Sequence, residues 1–567
     1  MGISRDELLK MLSKQLGVSA KTTFGDVVRT KADKVGDKVF LTYIRDFDKG
    51  IDEKYTYRDM HEQSNRLANG LLKLGINKGD GISVFQINSP EYLFMLFAAF
   101  KMGCYCVLVN TGLKGEGLQY IIDHSDSKVL FIHWSLIDRY LNLKNNLPKI
   151  KHLIVDLNEA PIDFKLPEEA LSLQNIMDAP VDEIQVEIDP KDLSVLIYTS
   201  GTTGLPKATS FFYGRTFIGF APAFFALTPY GMGRLGDTFY TCLPLFHGNA
   251  LFLTTLPGYL AEFPVVLSKK FSASRFWDIM RKYEITNFNL LGSMPQYLLK
   301  QPEKPNDREN QVWRVNSAAC PKELIQDFEK RFDVRMYEGY GAVDGGGYNI
   351  TTFGKEGFPV GSMGKPDNNV TAEIIDEEYN ILEPDEVGEL VFLTKKKDVE
   401  QHQVHYYKDE KSSKERIRKG PDGRMWFHTG DLATKDKDGW FFFVDRKKDS
   451  IRRKGENIAA FSVERAINQH DKVLESAAYG IKSSQVGEDY AEDEIMVAVV
   501  MKPGETVTPE ELLDFCQDKL ASFQLPRFIE FVEKLPKSEV HRIMKRFLKD
   551  RGVSEETYDR EKAGYKF

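Results

Sequence analysis

The chain has 567 residues, of which 76 are Lys or Arg and 84 are Asp or Glu, so its formal net charge is −8 at pH 7. This length exceeds what one hydrophobic core normally serves, so we expect a large body and at least one further domain. The negative charge offers no global polycation for nucleic acid, which excludes a general nucleic-acid-binding role. Five scattered cysteines suit neither a disulfide framework nor a zinc cluster and indicate a reducing compartment.

The first residues lack the apolar segment of a signal peptide. The apolar stretches at residues 92–110 and 211–233 are interrupted by Lys, Arg, Pro or Gly, so neither reaches the ~20 apolar residues of a membrane span. We therefore predict a cytoplasmic protein without a transmembrane span, either a monomer or a homodimer. A peripheral membrane contact stays open.

Helical and strand patterns alternate through the first part of the chain. Helices are predicted at residues 57–74 and 90–102, and strands at 81–86, 104–110, 128–133 and 152–156. Such alternation indicates an α/β fold, in which helices cover both faces of parallel-rich sheets.

Beyond about residue 370 the pattern changes to strands joined by turns, which predicts a β-rich subdomain. Residues 395–420 are dense in charge and predict an exposed loop. A compact α+β pattern follows, with a helix at 461–468, a strand at 494–501 and a helix that begins near Thr508. We therefore expect an adenylating domain at residues 1–446 and a small, mobile C-terminal α+β domain at 447–567, under the family assignment given below.

The strongest local signal is the stretch LIYTSGTTGLPK at residues 196–207. Glycine permits φ > 0 and close approach, so backbone N–H groups in such a loop can converge on phosphate oxygens, and Lys207 adds a point charge. A Walker A loop needs Gly before its lysine and Ser or Thr after it, whereas Pro206 and Ala208 stand at these places. The stretch predicts a phosphate-binding loop of another kind, and an ordinary turn is the alternative.

This stretch resembles the phosphate-binding motif of the acyl-adenylate-forming superfamily, which includes acyl-CoA synthetases, amino-acid-activating domains and firefly luciferase. Four more segments match motifs of that superfamily in order and spacing: YGAVD at 340–344, WFHTGDL at 426–432, FVDRKKDSIRRKGENIAAFSVE at 443–464 and LPKSEVHRIMK at 535–545. The resemblance spans nearly the whole chain and is strongest to the carnitine/crotonobetaine-CoA ligase and fatty-acyl-CoA synthetase group.

The resemblance implies an acid–thiol ligase that uses ATP, Mg²⁺ and coenzyme A and that acts in fatty-acid or related acyl metabolism. A carboxylate attacks the α-phosphorus of ATP to give acyl-AMP and pyrophosphate, and the CoA thiol then attacks the acyl carbon and releases AMP. Both steps place charge on oxygen atoms, so preorganised donors and a metal ion should supply most of the acceleration.

The resemblance also assigns nucleotide-binding roles. The loop residues Thr199, Ser200, Gly201, Thr202, Thr203, Gly204 and Lys207 would hold the β- and γ-phosphates. Tyr340 would stack on adenine beside Gly341, with Ala318 and Ala319 on the other face of the base. Asp431 would accept from both ribose hydroxyls, assisted by Arg446. Asp344 and Thr199 would hold Mg²⁺. An ordinary β-turn aspartate is the alternative for Asp431.

The remaining roles concern the acyl group, CoA and the domain movement. His247 and the small residues Gly345 and Gly346 would line the acyl site, although a satisfied core histidine is nearly as good an explanation of His247. The small domain would swing about Lys448 to exchange an adenylating face for a CoA-accepting face. Gly455 would then border the pantetheine tunnel. The Phe- and Ala-rich stretch at 211–230 favours an apolar or bulky acid, with simple core filling as the alternative.

Two positions depart from the family pattern. The usual Thr-Glu pair is replaced by Val343 and Asp344, so a hydroxyl is lost and the acid is shortened by one methylene. The C-terminal lysine that bridges carboxylate and phosphate falls on Arg542, and Lys545 is the fallback. Arg and Lys are not interchangeable at such a site. Arg542 is therefore predicted to bridge in an enzyme of altered rate or geometry.

Two other functions remain open from the sequence. One is an adenylating enzyme that transfers the acyl group to a carrier protein, although the GEN sequence at 455–457 favours CoA. The other is a binding protein that has lost catalysis, an alternative suggested by Val343 and Arg542. Retention of the phosphate loop, Asp344 and Asp431 argues against the latter.

Overall fold

The computed structural model describes residues 22–199, 206–213, 236–291, 294–318, 320, 322–341, 343–344, 349–366, 370–394, 405–446, 451–453, 456–482, 493–517, 519–520, 524–538 and 543–565. No helix in these ranges combines the length and the apolar character that crossing a membrane requires.

The first sheet is parallel except at one edge. Its strands lie in the order Ala170–Ser172, His152–Asp156, Ser127–His133, Gly81–Phe85, Tyr105–Leu108, Leu193–Thr199 and Lys207–Phe212, and the last pair is antiparallel. The sequence predicted its inner strands because they read as short apolar runs, which is the pattern of strands buried on both faces.

The second sheet is parallel in the middle and antiparallel at its two ends. Its strands lie in the order Lys365–Pro366, Asn349–Thr351, Met336–Gly341, Arg314–Ala318, Asn287–Leu291, Phe239–Thr241, Val265–Ser268, Val39–Asp46 and Ile51–Thr56. A single buried apolar cluster contains residues of both sheets, among them Val84 and Val315, so the two sheets share one core.

The helix Pro90–Met102 lies at the centre of this core, and every one of its residues is buried. Ser89 caps its first turn, Pro90 occupies the first position and Gly103 ends it at φ 69°. The other helices of the large part cover the sheets: Phe24–Val35, Tyr57–Lys73, Gly115–His124, Ile137–Leu141, Leu173–Met177, Gly248–Ala250, Leu256–Ala261, Phe276–Lys282, Met294–Leu299 and Lys322–Phe332. The large part also contains short 3₁₀ turns at Trp134–Leu136 and Lys144–Asn146 and a π-helical turn at Leu251–Thr255.

The third sheet is the β-rich subdomain that the sequence predicts. Antiparallel strands lie in the order Thr371–Ile375, Gly388–Thr394, Met425–Lys435 and Ile417–Lys419, and Phe441–Arg446 pairs with the long strand Met425–Lys435. A helix at Glu410–Glu415 precedes the short strand Ile417–Lys419.

The C-terminal part has a core of its own. A hairpin of Ile451–Arg453 and Glu456–Ile458 packs with helices Ala460–Asn468 and Pro509–Gln517 onto strands Val473–Lys482, Asp493–Met501, Phe528–Phe531 and Tyr558–Asp559. Helix Lys545–Arg551 packs on the opposite face of this sheet. The predicted Thr508 start of a helix is confirmed, because Thr508 and Glu511 exchange hydrogen bonds of 2.9 and 3.1 Å.

Gly364 joins the second and third sheets, because its carbonyl accepts from the Phe441 N–H at 3.0 Å. Its φ is +107°, and a Cβ there would lie 2.0 Å from the Thr351 carbonyl carbon. Gly439 also has positive φ, at +82°, but nothing lies within 4 Å of its would-be Cβ. Comparing the two positions therefore separates the cost of a steric overlap at an added Cβ from the cost of a positive φ.

We predict that Gly364→Ala lowers the free energy of unfolding by roughly 3–5 kcal/mol, since a backbone overlap cannot be relieved without moving a strand. Gly439→Ala should cost about 1–2 kcal/mol, because only the left-handed backbone is penalised. Chemical denaturation monitored by circular dichroism measures both values. Equal costs for the two variants would show that the junction at Gly364 adapts freely.

Candidate functional site

The predicted phosphate loop connects the two antiparallel edge strands of the first sheet. Thr199 ends the strand Leu193–Thr199, Lys207 begins the strand Lys207–Phe212, and these two residues are backbone partners. The motif therefore closes a hairpin at the edge of the sheet. Ser200, Gly201, Thr202, Thr203 and Gly204 lie outside the described residues.

The Lys207 ammonium contacts a segment that leads into the strand Ile417–Lys419 of the third sheet. Its Nζ donates to Ser412 Oγ at 2.5 Å, lies 3.9 Å from Asp409 Oδ2 and stands 5.3 Å from the centre of the Tyr406 ring. Backbone bonds fix this arrangement, since the Ser210 N–H donates to the His405 carbonyl at 2.7 Å. Residues 405–416, which we call the clamp segment, thus pair with the strand that follows the phosphate loop.

Asp344 is a buried carboxylate inside this arrangement. Tyr406 Oη donates to its Oδ2 at 2.6 Å, and the Arg416 guanidinium forms an ion pair with the same oxygen. Burial alone would raise the pKa of Asp344, but the Arg416 charge and the hydrogen bonds from Tyr406 and Arg416 outweigh it and hold the pKa below its usual value. Asp344 is therefore ionised at neutral pH.

Asp431 lies on the long strand Met425–Lys435, two residues after Thr429. Its backbone N–H donates to Thr429 Oγ1 at 3.1 Å, and Gly430 between them has φ +73°. The Asp431 carboxylate accepts from Tyr340 Oη at 2.6 Å. Burial of the Tyr340 hydroxyl, followed by the charge of Asp431, raises the pKa of Tyr340, so this tyrosine stays a donor.

Direct contacts connect the phosphate loop to Asp431. Lys207 faces Tyr406, Tyr406 bonds to Asp344 and accepts from Arg416 Nε at 3.0 Å, and Arg416 Nη1 donates to the Thr429 carbonyl at 3.0 Å. The structure therefore brings Lys207, Asp344, Tyr340 and Asp431 to one place. Residues that are far apart in the chain form a single polar network there.

Other predicted residues flank this network. Ala318 and Gly341 end neighbouring parallel strands, Arg314–Ala318 and Met336–Gly341, so both lie at the same edge of the second sheet. His247 caps the short helix Gly248–Ala250 and accepts from the Asn249 N–H at 3.4 Å. A Cβ at Gly248 would lie 3.4 Å from Val343 Cγ2, which places the Val343 methyl group against the His247 turn.

Several predicted residues fall where the structure gives no side-chain information. Arg446 is the backbone partner of Asp431, and only its backbone is described. Ala319, Gly345, Gly346, Lys448, Gly455 and Arg542 lie outside the described residues, as does most of the stretch 211–230. Their roles stay predictions.

Magnesium fits the donor set at Asp344. A buried, ionised carboxylate is a hard oxygen ligand, and Mg²⁺ is commonly bound by one or two carboxylates together with substrate phosphates. Within the described ranges, no group of three or more His, Cys, Asp or Glu side chains forms a metal cage. The Thr199 hydroxyl, at the entrance of the loop, is the second predicted ligand.

The sequence did not predict the clamp segment. Residues 395–420 were expected to be an exposed loop because they are rich in charge, which is wrong for the helix Glu410–Glu415 and for Tyr406, whereas the lysine and glutamate side chains at 408–415 are exposed as expected. Tyr406 is buried, Glu410–Glu415 is helical and Arg416 is directed at Asp344. The paired aromatics Tyr406 and Tyr407 are the signal that could have revealed burial, since a solvated charged loop rarely needs them.

The fallback lysine is engaged within the C-terminal part. Lys545 Nζ lies 2.8 Å from Glu464 Oε1, and these side chains are 16% and 13% exposed. Glu464 Oε1 also accepts from the Ala478 N–H at 2.9 Å. Lys545 therefore neutralises a buried carboxylate in this structure, which gives it a structural role.

Comparison with known proteins gives matches along nearly the whole chain. The AMP-binding enzyme model matches residues 28–395, and the AMP-binding enzyme C-terminal domain model matches residues 462–542. A crotonobetaine/carnitine–CoA ligase of Salmonella typhimurium (strain LT2) is 30% identical over 523 residues, which cover 91% of this chain and 96% of that protein.

Solved structures show the same fold. The anthranilate CoA ligase AuaEII in complex with anthranoyl-AMP superposes with a TM-score of 0.79 at 20% identity, covering 94% of this chain and 98% of that one. An o-succinylbenzoate CoA synthetase from Bacillus subtilis, in complex with ATP and magnesium ion, gives a TM-score of 0.73 at 22% identity, covering 92% and 99%.

The two packed α/β sheets, the β-rich subdomain and the separate C-terminal core have the fold of these CoA ligases, and the two family models place the chain in the adenylate-forming class of enzymes. The chain belongs to the AMP-binding enzyme family. The resemblance stated from the motifs and the predicted α/β fold are both confirmed.

We predict that Lys545→Met lowers the free energy of unfolding by about 3 kcal/mol, because it leaves Glu464 buried without its cation. Adding Glu464→Gln should restore part of this loss. Denaturant unfolding, followed by fluorescence, measures both variants. A Lys545→Met protein of unchanged stability that no longer forms acyl-adenylate would instead identify Lys545 as the bridging cation.

Proposed function

We propose that this chain is an ATP-dependent acyl-CoA ligase that works by way of an acyl-AMP intermediate. It activates a carboxylic acid on ATP, releases pyrophosphate and transfers the acyl group to CoA with release of AMP. It is an acid–thiol ligase and uses ATP, Mg²⁺ and CoA. The observation that carries the proposal is the polar network that joins Lys207, Asp344 and Asp431.

Each part of this network suits one part of the nucleotide. Asp431 has two carboxylate oxygens and can accept from both ribose hydroxyls, while its bond from Tyr340 fixes its orientation. The Tyr340 ring then serves as the adenine platform with Ala318, Ala319 and Gly341. Arg446, on the strand paired with Asp431, assists at the ribose.

The phosphates lie toward the first sheet. Thr199, the loop residues from Ser200 to Gly204 and Lys207 hold the β- and γ-phosphates. Mg²⁺ held by Asp344 and Thr199 supplies positive charge that neutralises phosphate oxygens. Arg416 and Tyr406 keep the Asp344 carboxylate ionised and oriented, so the ligand stands ready before nucleotide arrives.

The second half-reaction requires another face of the C-terminal part. We place the adenylating domain at residues 1–446 and the small domain at 447–567, with Lys448 as the hinge and Gly455 beside the CoA thiol. The described contacts across this junction are hydrogen bonds and ion pairs, such as Gln296 Nε2 to the Leu474 carbonyl at 2.8 Å, Tyr297 Oη to Glu475 Oε2 at 3.1 Å and the Arg465–Glu323 pair. Polar contacts of this kind can be exchanged for others, which suits a domain that changes its orientation.

The acid is proposed to be apolar or bulky. Val343 replaces the usual threonine and places a methyl group against Gly248, next to His247. A hydrocarbon wall at this position favours an apolar acyl chain over acetate. Gly345 and Gly346 are proposed to widen the same site. The Salmonella relative acts on crotonobetaine and carnitine by its name, so betaines belong in any panel of test acids.

The cellular setting follows from the thiols. Cys104, Cys106, Cys242, Cys320 and Cys516 are all buried, and none of them forms a disulfide. Cysteines kept as buried thiols suit a reducing compartment, so we place the enzyme in the cytoplasm. Whether it works as a monomer or as a homodimer stays a prediction.

The direct test is carboxylate-dependent exchange of pyrophosphate into ATP over aliphatic, aromatic and betaine acids, followed by addition of CoA. We expect exchange with at least one apolar or bulky acid and thioester once CoA is present. Asp431→Asn should weaken AMP binding by roughly 10- to 100-fold, since one charge-assisted acceptor is lost. Asp438→Asn, at an exposed position of the turn that follows the same strand, is the control. Exchange without thioester would favour a carrier-protein acceptor, and no exchange would favour a binding protein.

Arg542 gives a further test of the adenylation step. We expect Arg542→Ala to slow acyl-AMP formation by roughly 10²-fold or more, because the bridging charge between carboxylate and phosphate is removed. The unfolding free energy should remain that of the parent protein. Arg542→Lys should retain or increase activity, since lysine is the usual residue of the family. An Arg542→Ala protein with unchanged exchange would remove Arg542 from the mechanism.

A further inference from the structure

Among the cations described at the site, Arg416 makes the most hydrogen bonds. Its Nε donates to Tyr406 Oη at 3.0 Å, its Nη1 donates to the His428 and Thr429 carbonyls at 3.0 Å each, and its Nη2 pairs with Asp344. Four directional bonds leave the guanidinium plane one orientation, with about a quarter of the side chain exposed. Arg416 lies outside the five segments that resemble motifs of the superfamily.

These bonds connect two pieces of backbone that carry different nucleotide contacts. Asp344 follows the strand Met336–Gly341 of the second sheet, whereas Thr429 precedes Asp431 on the third sheet. Arg416 bonds to Asp344 and to the Thr429 carbonyl, two residues before Asp431, so it connects the two segments that carry these acids, as the Tyr340–Asp431 bond also does. Its position therefore helps to set how the proposed metal-holding and ribose-holding carboxylates lie relative to each other.

We propose that Arg416 is a positioning residue of the adenylation step, which acts by orienting Asp344 relative to Asp431 for magnesium-bound ATP. This inference rests on the proposed function. It also accounts for the short acid at position 344. An aspartate reaches less far than the glutamate usual at this place, so its carboxylate must be held in one direction, and Tyr406 and Arg416 both bind the same oxygen to do so.

The proposal distinguishes the two half-reactions. In the proposed function, a magnesium ion at Asp344 would act on the triphosphate of ATP, whereas pyrophosphate has left before CoA attacks and acyl-AMP keeps only the α-phosphate. Removal of Arg416 should therefore impair acyl-AMP formation and spare thioester formation from acyl-AMP that is supplied ready-made. A residue that only stabilised the fold would affect both half-reactions alike.

The experiment uses the full chain with Arg416→Met, Arg416→Lys, and Arg418→Met as the control. Arg418 is exposed and donates only locally, from Nε to the Glu415 carbonyl at 3.0 Å. We expect Arg416→Met to lower kcat/KM for ATP in pyrophosphate exchange by roughly 30-fold or more, since a misplaced ligand is costly. The kcat/KM of Arg416→Lys should lie between those of the parent and of Arg416→Met, because an ammonium can pair with Asp344 but cannot reproduce the planar set of four bonds. Thioester formation from synthetic acyl-AMP and CoA should stay within about 3-fold of the parent.

A double-mutant comparison tests whether Arg416 acts through Asp344. Asp344→Asn combined with Arg416→Met should lose no more exchange activity than Asp344→Asn alone, because the partner on which Arg416 acts is already gone. If the losses of exchange activity from the two single substitutions multiply in the double variant, the proposal is overturned. Equal losses in both half-reactions would overturn it as well.

A binding measurement keeps the test independent of turnover. Calorimetry with α,β-methylene-ATP at increasing Mg²⁺ should show that Arg416→Met needs about 10-fold more Mg²⁺ for half-maximal nucleotide affinity, while AMP binding changes less than about 3-fold. An unchanged Mg²⁺ requirement would overturn the role of Arg416. If the parent protein exchanges no pyrophosphate with any acid, the proposed function fails instead, and this binding result still decides on Arg416.

Discussion

The site depends on one structural constraint, which is the pairing of the clamp segment with the edge strand that follows the phosphate loop. The predicted phosphate loop and the strand that carries Asp431 belong to different sheets, and nothing in their sequences brings them together. Two backbone bonds, Ser210 to His405 and Tyr407 to Ala208, join the edge strand of the first sheet to the clamp segment at 2.7 and 2.8 Å, and the clamp segment leads directly into the third-sheet strand Ile417–Lys419. Backbone bonds of this kind set the register, so the side chains of Tyr406, Ser412 and Arg416 arrive at Lys207 and Asp344 together.

Charge explains why this arrangement is stable without nucleotide. Lys207 and Arg416 bring positive charge into a partly buried place, and Asp344, Asp409 and Asp431 bring negative charge. Each cation has a hydrogen-bonded partner, which offsets the cost of removing it from water. In the proposed function, the phosphates of ATP would compete for Lys207, while the bonds of Arg416 to backbone carbonyls have no reason to change. Lys207 is thus suited to exchange partners and Arg416 to stay fixed.

The sequence predicted elements well wherever one local rule decided them. The helix Pro90–Met102 was predicted to the residue because Ser89, Pro90 and Gly103 mark its ends, and the buried strands were visible as apolar runs. The motifs likewise selected Lys207, Tyr340, Asp344 and Asp431, which the fold brings together. The clamp segment was mispredicted because its burial comes from tertiary contacts with a strand some 200 residues earlier. Charge density in the chain carries no information about a partner so distant.

The two departures from the family pattern have different physical consequences. The loss of the threonine hydroxyl at Val343 leaves a methyl group that lies against Gly248. The shortened acid at Asp344 is bound by Tyr406 and Arg416 at one oxygen, and in our proposal Arg416 fixes the direction of this carboxylate. A binding protein that had lost catalysis would have no need of an oriented, ionised carboxylate at this place, so the arrangement favours a working site.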